Sequence, residues 1–179
     1  MKIKGVLAST ILILTLLAGS SMAWFTANPS GIENQFNIGT VKVKIIEKFT
    51  SKPSYTVGVC QKKQISVKNL GTKNAYVRVR LIPEWSDPNL SVSNIQINFS
   101  QTNKWIKVGD YFYFPYYIKK NQETSVLVES VTFTSLGSEY HGETFTLKVV
   151  TEGVQISNDA WKNIWGLTTL PFSENQPWR

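Results

Sequence analysis

Alternating apolar and polar residues constrain the fold of this chain more than any other feature. Ile95, Ile97 and Phe99 alternate with Gln96 and Asn98, and Gly, Asn and Pro cluster between such stretches. This period of two is typical of half-buried antiparallel strands separated by turns. The pattern recurs in segments 41–45, 65–68, 75–81, 95–99, 126–131 and 145–149. It predicts an all-β protein, a jelly-roll-like antiparallel β-sandwich.

One short helix is predicted near the C-terminus. Ser157 or Asn158 is suited to cap a helix over residues 159–164, and Gly166 is suited to end it. The stretch that follows, residues 167–179, contains two prolines and little pattern. We therefore predict that it is a C-terminal tail, ordered against a partner.

The first 23 residues have the composition of a secretory signal peptide. Lys2 and Lys4 precede an apolar run over residues 6–18, and small residues lead to Ala23 just before Trp24. A positive start, a short apolar core and a small-residue site are the three parts of such a signal. We predict cleavage between Ala23 and Trp24, export from the cell, and membrane attachment only before cleavage. The alternative is an uncleaved membrane anchor.

The segment after the predicted cleavage site, residues 24–40, is unusually apolar for the start of a soluble domain at 41–166. Its large apolar residues are Trp24, Phe25, Ile32, Phe36 and Ile38. Such a strand is buried in one of two ways: it pairs with its own sheet, or it completes the sheet of another copy by strand addition. Both routes stay open on composition alone, and Asn28–Gly31 supplies a hinge for either.

Cysteine and histidine counts narrow the chemistry. The chain has one cysteine, Cys60, and one histidine, His141. An intrachain disulfide, a Cys/His zinc knuckle and an HExxH motif are therefore excluded. We predict no catalytic residues, no metal site and no cofactor, and we place His141 in a surface turn. Cys60 is predicted to be a small buried hydrophobe, with an intermolecular disulfide as the alternative.

Two further features suggest ligands. The run Tyr111–Tyr117 is suited to stack on sugar rings, although a strand covered on both faces explains it as well. The chain carries a net charge of +7, and Arg78 and Arg80 share one predicted strand face. Outside a cell such charge favours anionic matrix polymers, and the alternative is a set of solvated strand faces. No motif for specific nucleic-acid binding is present.

Four short motifs in order resemble a known family. They are SMAWFT at 21–26, NIGTVKV at 37–43, the stretch 65–79 around VKNLGTKNAYVRV, and the stretch 152–166 that opens EGVQISN and closes WG. Together they are similar to motifs of the TasA/camelysin superfamily, and most similar to its BsaA-type biofilm matrix proteins. The resemblance covers roughly residues 15–166.

This resemblance implies a jelly roll that a Gram-positive bacterium secretes through an ER-type signal peptidase. It implies a structural subunit, not an enzyme, that polymerises when the freed segment from Trp24 to about Ile38 completes the sheet of the next subunit. The implied partners are other copies, the signal peptidase during export, and anionic matrix polymers. Two alternatives are a camelysin-like surface metalloprotease, which the single histidine supports poorly, and a monomeric glycan-binding adhesion module.

Overall fold

The structure is a computed structural model. It describes residues 41–49, 57–102, 104–173 and 176–179. The predicted signal peptide, its cleavage site and the donor segment lie outside the described residues, so the expectations for these residues stay predictions: Ala23, Trp24, Phe25, Ile32, Phe36 and Ile38.

Eight antiparallel strands form two four-stranded sheets in the described part of the chain. The first sheet contains, in spatial order, β1 (Val43–Phe49), β2 (Cys60–Asn69), β7 (Val128–Phe133) and β4 (Ile95–Phe99). The second contains β5 (Ile106–Val108), β6 (Tyr111–Tyr113), β3 (Ala75–Trp85) and β8 (Phe145–Gln155). The neighbours are mostly distant in sequence, as in a jelly roll. The prediction of an all-β sandwich is confirmed.

The main core lies between the two sheets and follows the alternation seen in the sequence. Ile65 and Val67 of β2 pack in one cluster with Val77 and Val79 of β3, and all four are fully buried. Each such side chain contributes ~1.5–3 kcal/mol relative to an exposed one. The side chains of the β3 residues that alternate with Val77 and Val79 therefore point to the opposite, outer face of the strand.

A second, smaller core covers part of that outer face. Trp161 and Trp165 of the helix α1 (Ala160–Trp165) pack there with Tyr76, Tyr113 and Val154. The helix was predicted, and its length of about one and a half turns means that packing must hold it in place. None of the described helices has the length and apolarity that crossing a bilayer requires.

The start of α1 differs from the prediction, whereas its end agrees. Ser157–Asp159 form a separate 3-10 turn, and Asp159 is the N-cap, with a left-handed backbone and no side-chain capping bond. The predicted caps, Ser157 and Asn158, are therefore wrong, because Asn158 itself adopts a left-handed φ of 59° inside that turn. Gly166 ends the helix at φ 66°, a conformation that glycine adopts without strain.

The C-terminal tail packs on the sandwich. Its Trp178 N–H donates to the Tyr117 carbonyl at 3.0 Å, and the Tyr117 N–H donates to the Gln176 carbonyl at 2.9 Å. The Trp178 ring lies edge-on to Phe114, with the ring centres 5.1 Å apart. The described tail residues are thus ordered against this domain, and no partner is needed for that order.

Candidate functional site

The outer side of β8 is an open edge in the described part of the molecule. β8 pairs with β3 over its whole length, from Phe145 opposite Trp85 to Gln155 opposite Ala75. Among the described residues, β3 is its only neighbour in the sheet. An edge of this length is a template for another strand.

The hydrogen bonds of β3 show which backbone N–H and C=O groups of β8 point away from β3, toward the open edge. The Ala75 N–H donates to the Ile118 carbonyl at 3.1 Å, and the Phe114 N–H donates to the Val77 carbonyl at 3.0 Å. The backbone groups of Ala75 and Val77 therefore point away from β8, so the residues between them bond to β8. Through the register, the N–H and C=O groups that point away from β3 belong to alternate residues of β8. They include Leu147, Val149, Thr151 and Gly153.

The same alternate residues of β8 turn their side chains inward. Leu147, Val149 and Thr151 are buried between the sheets. A strand that added to this edge would place every second side chain above the same core. The edge thus offers backbone bonds and an apolar channel together.

Residue 41, where the described domain begins, lies beside this edge. A Cβ atom at Gly153 would stand 2.7 Å from a methyl carbon of Val43 and 3.1 Å from one of Val41. Only glycine allows β1 to approach β8 so closely. The segment 24–40 therefore joins the domain next to the open edge of β8.

The outer face of the second sheet carries a row of charged and aromatic residues under α1. In this covered row, Arg78 lies opposite Tyr113 on β6 and Glu152 on β8. Its Nε and Nη2 donate to one Glu152 oxygen at 3.0 and 2.8 Å, and its Nη1 donates to the Tyr113 hydroxyl at 3.2 Å. The guanidinium lies 3.9 Å from the centre of the Tyr111 ring and 5.1 Å from that of Trp165. Arg78 is thus paired and stacked.

A second row lies beside it, one step further from the buried tryptophans. This open row consists of Val108, Tyr111, Arg80 and Val150, which stand opposite one another on four adjacent strands. Val108 is 48% exposed, and the other three are half-buried. The Arg80 guanidinium lies 5.8 Å from the centre of the Tyr111 ring.

Tyr111 connects the two rows. Its hydroxyl donates to the second oxygen of Glu152 at 3.1 Å. Burial raises the pKa of the Tyr111 hydroxyl above its ordinary value, and the negative charge of Glu152 adds to the shift while Arg78 and Arg80 oppose it. The phenol therefore stays a neutral hydrogen-bond donor at physiological pH.

Two buried donors at these rows lack acceptors. Within the described residues, the Nε of Arg80 and the indole Nε1 of Trp165 are buried and have no hydrogen-bond partner. Both side chains contact the stacked pair of Arg78 and Tyr111. Buried donors without acceptors are rare in folded proteins, and each needs an explanation.

The aromatic run Tyr111–Tyr117 is divided between the inner and outer faces of the second sheet. Phe112 and Phe114 pack against the core between the sheets, whereas Tyr111 and Tyr113 lie on the outer face. The run therefore begins as the strand β6, continues as a bend, and places its aromatic residues on both faces instead of on one sugar-stacking surface. Only Tyr111 lies in the open row.

The structure contradicts the prediction for Cys60 and confirms the one for His141. Cys60 is exposed, so the prediction of a buried thiol is wrong. It opens β2 at the end of the strand beyond the core, with its Sγ 3.1 Å from the Thr132 hydroxyl. His141 is exposed after the Ser138–Tyr140 turn, as predicted. No group of three or more His, Cys, Asp or Glu side chains among the described residues is placed to hold a metal ion.

Sequence reasoning missed Glu152 and Trp165 as members of the outer face. Glu152 gives no signal in the sequence, because its pairing with Arg78, 74 residues away in the chain, depends on the register between two strands. A usable signal exists only for Trp165, whose four-residue spacing from Trp161 marks one helical face.

Comparison of the chain with protein-family models, with curated proteins and with solved structures finds no match.

Proposed function

We propose that this chain is a secreted, non-enzymatic subunit of extracellular biofilm matrix fibres, located in the matrix or at the cell surface. After removal of residues 1–23, the segment 24–40 of one copy adds as a strand to the β8 edge of the next. The observation that carries the proposal is the position of this edge beside Val41, where that segment joins the domain.

The donor segment has the pattern that such an edge requires. Ile32, Phe36 and Ile38 are all even-numbered, so an extended strand would present them on one face. The edge offers backbone groups for the ladder, and the buried Leu147 and Val149 mark the core that the donor side chains would extend. Strand addition draws its affinity from main-chain bonds and its specificity from alternate side chains.

The competing arrangement is a strand that folds back onto β8 of its own copy. It uses the same edge and predicts a monomer. We favour exchange between copies because the four motifs resemble those of fibre-forming proteins. Solution mass separates the two arrangements.

The first experiment compares a chain that starts at Trp24 with one that starts at Val41 and so lacks the whole donor segment. We expect filaments from the first by negative-stain electron microscopy, with growing mass in solution, and monomers from the second. Cys60→Ser is the matched control, because the exposed thiol offers a disulfide route to assembly. Filaments that survive loss of residues 24–40, or that vanish in Cys60→Ser, would contradict strand donation.

A peptide experiment tests the edge itself. A synthetic peptide of residues 24–40 should cap β8, stop filament growth of the Trp24 chain, and raise the melting temperature of a chain that starts at Val41. Its control is the same peptide with Ile32, Phe36 and Ile38 changed to Asp. Equal effects of the two peptides would show that the apolar face does not direct binding.

Cleavage is proposed as the trigger of assembly, because an attached signal peptide would hold the donor segment at the membrane. Precursor that retains residues 1–23 is expected to stay unassembled under conditions in which the Trp24 chain forms filaments. Assembly of the precursor at the same rate would refute the trigger while leaving strand donation intact.

A further inference from the structure

The open row has the shape of a binding platform. Its four residues, Val108, Tyr111, Arg80 and Val150, lie on four adjacent strands, so the row is about 14 Å long from three interstrand spacings. The helix α1 packs over the neighbouring covered row. The open row starts where that cover stops.

The charge balance of the face leaves Arg80 in excess. Two acidic residues share this face. Glu152 already accepts two bonds from Arg78 and one from Tyr111, and Glu84 lies two rows beyond Arg80, opposite Thr146. Among the described residues, Arg80 has no ion pair. Lys148, opposite Ile82 in the next row, adds a second positive charge. The four residues of the open row therefore include one cation and no acid, and the nearest acid in the chain, Asp110, lies in the exposed turn that joins Val108 to Tyr111.

The unpaired groups of this face are donors, which points to a ligand that accepts hydrogen bonds. Arg80 is half-buried, and no described residue accepts a hydrogen bond from its buried Nε. The accessible end of its planar guanidinium is the part that can meet a carboxylate in a two-point bond. The Tyr111 ring beside Arg80 and the exposed Val108 supply an apolar surface on which a sugar ring can lie. An acid group and a sugar ring in one ligand describe a uronic acid.

We propose that the open row binds an acidic polysaccharide of the matrix. A uronate carboxylate accepts hydrogen bonds from the Arg80 guanidinium, and its pyranose ring stacks on Tyr111. The length of the row admits more than one sugar of a chain. This site lies on the face of the sheet and not at the β8 edge, so it is open in a monomer and does not depend on polymerisation.

The test measures binding of oligogalacturonate to the protein expressed from the full 179-residue sequence, with neutral dextran as the reference glycan. Arg80→Gln should weaken binding by roughly tenfold or more, since it removes a charge-assisted bond. Lys120→Gln is the matched control, because it removes the same charge from an exposed turn outside the row. We expect a change of less than about twofold there.

Three more variants separate the guanidinium fork and the ring from charge alone. Arg80→Lys keeps the charge without the fork and should also lose binding. Tyr111→Phe keeps the ring and should bind nearly as the parent does, whereas Tyr111→Ala should not. Melting temperatures confirm that each variant is folded. Binding should also shift the indole N–H resonance of Trp165, identified by its absence in Trp165→Phe.

Several results would overturn the proposal. They are no binding to oligogalacturonate, equal losses in Arg80→Gln and Lys120→Gln, and binding to double-stranded DNA or polyphosphate as tight as to the uronate. The last two would show a general attraction of anions to a basic protein. Filament formation is scored separately, so failure of this site and failure of strand donation remain distinguishable.

Discussion

Arg78 and Arg80 are two residues apart on the same face of β3, yet their surroundings differ. Arg78 is 8% exposed, bonds to Glu152 and Tyr113, and stacks on Tyr111. Arg80 is half-buried, and its Nε lacks a partner among the described residues. The tryptophans of α1 cover the first and not the second. A buried arginine with all its partners stabilises a fold, whereas the half-buried Arg80 contributes no ion pair among the described residues.

The strongest test of this contrast is Arg78→Met. It leaves the Glu152 carboxylate and the Tyr113 hydroxyl buried with fewer partners, and removing one member of a buried ion pair costs about 3–5 kcal/mol. We expect the free energy of unfolding in urea to fall by that amount. A loss below about 1 kcal/mol would mean that the covered row is a surface feature, contrary to its burial.

Trp165→Phe is expected to have a smaller effect. The ring still packs against Arg78 and Tyr113, and the lost Nε1 had no partner among the described residues. Because deleting an unsatisfied donor offsets some of the lost contact, we expect a cost of about 1 kcal/mol. Chemical unfolding measures it. A cost as large as that of Arg78→Met would show that the indole N–H is paired in solution.

Arg80→Met is the counterpart of Arg78→Met and should leave stability within ~0.5 kcal/mol of the parent. The methionine keeps the apolar stem over the sheet and removes a donor that had no acceptor. The same urea titration compares the pair directly. If the two substitutions cost the same, the distinction between the rows fails.

The smallest expected effect is a change in alkaline stability. The folded-state pKa of Tyr111 is raised, mainly by burial, so above about pH 10 the unfolded chain releases this proton before the folded chain does. Stability should therefore fall as pH rises through that range. Tyr111→Phe should flatten this fall relative to Tyr113→Phe, as melting temperatures at pH 9 to 11 would show. If melting temperature fell equally with pH in Tyr111→Phe and Tyr113→Phe, the raised pKa of Tyr111 would be contradicted.

The alternation in the sequence predicted the strands well where each has one buried face. Ile95–Phe99 was predicted and is β4 to the residue. β8 was predicted to stop at 149 but continues to Gln155, because Glu152 is neutralised by a partner on the neighbouring strand. Such a partner is visible only once the register is known.

A register shift in β7 prevented a correct prediction of which of its side chains are buried. A strict period of two over residues 126–131 puts Leu127 and Val131 on the face opposite Val128, yet all three are buried. Leu127 precedes the strand, and the register against β4 shifts between Asn98 and Phe99, which lets Val128 and Val131 of β7 face the same core. A period of two cannot reveal where such a shift occurs.

The candidate sites were predictable only in part. Arg78 and Arg80 were correctly placed on one face, but their different roles depend on a helix that lies far along the chain. The β8 edge depends on strand order, which no single segment encodes. The exposed position of Cys60 depends on where β2 leaves the core, and the apolar residues around it gave the opposite impression.

The packing of the last residues has a consequence for how this protein is made. Trp178 closes over Phe114, and β3 pairs with a strand about half the domain later in the chain. A partly emerged chain therefore cannot complete the second sheet, because β3 lacks its partner until β8 has emerged. The contact with Phe114 forms only after Trp178 has emerged. Such long-range closure is slow. It keeps the second sheet open until β8 has emerged, and a label attached beside Trp178 would disturb the contact with Phe114.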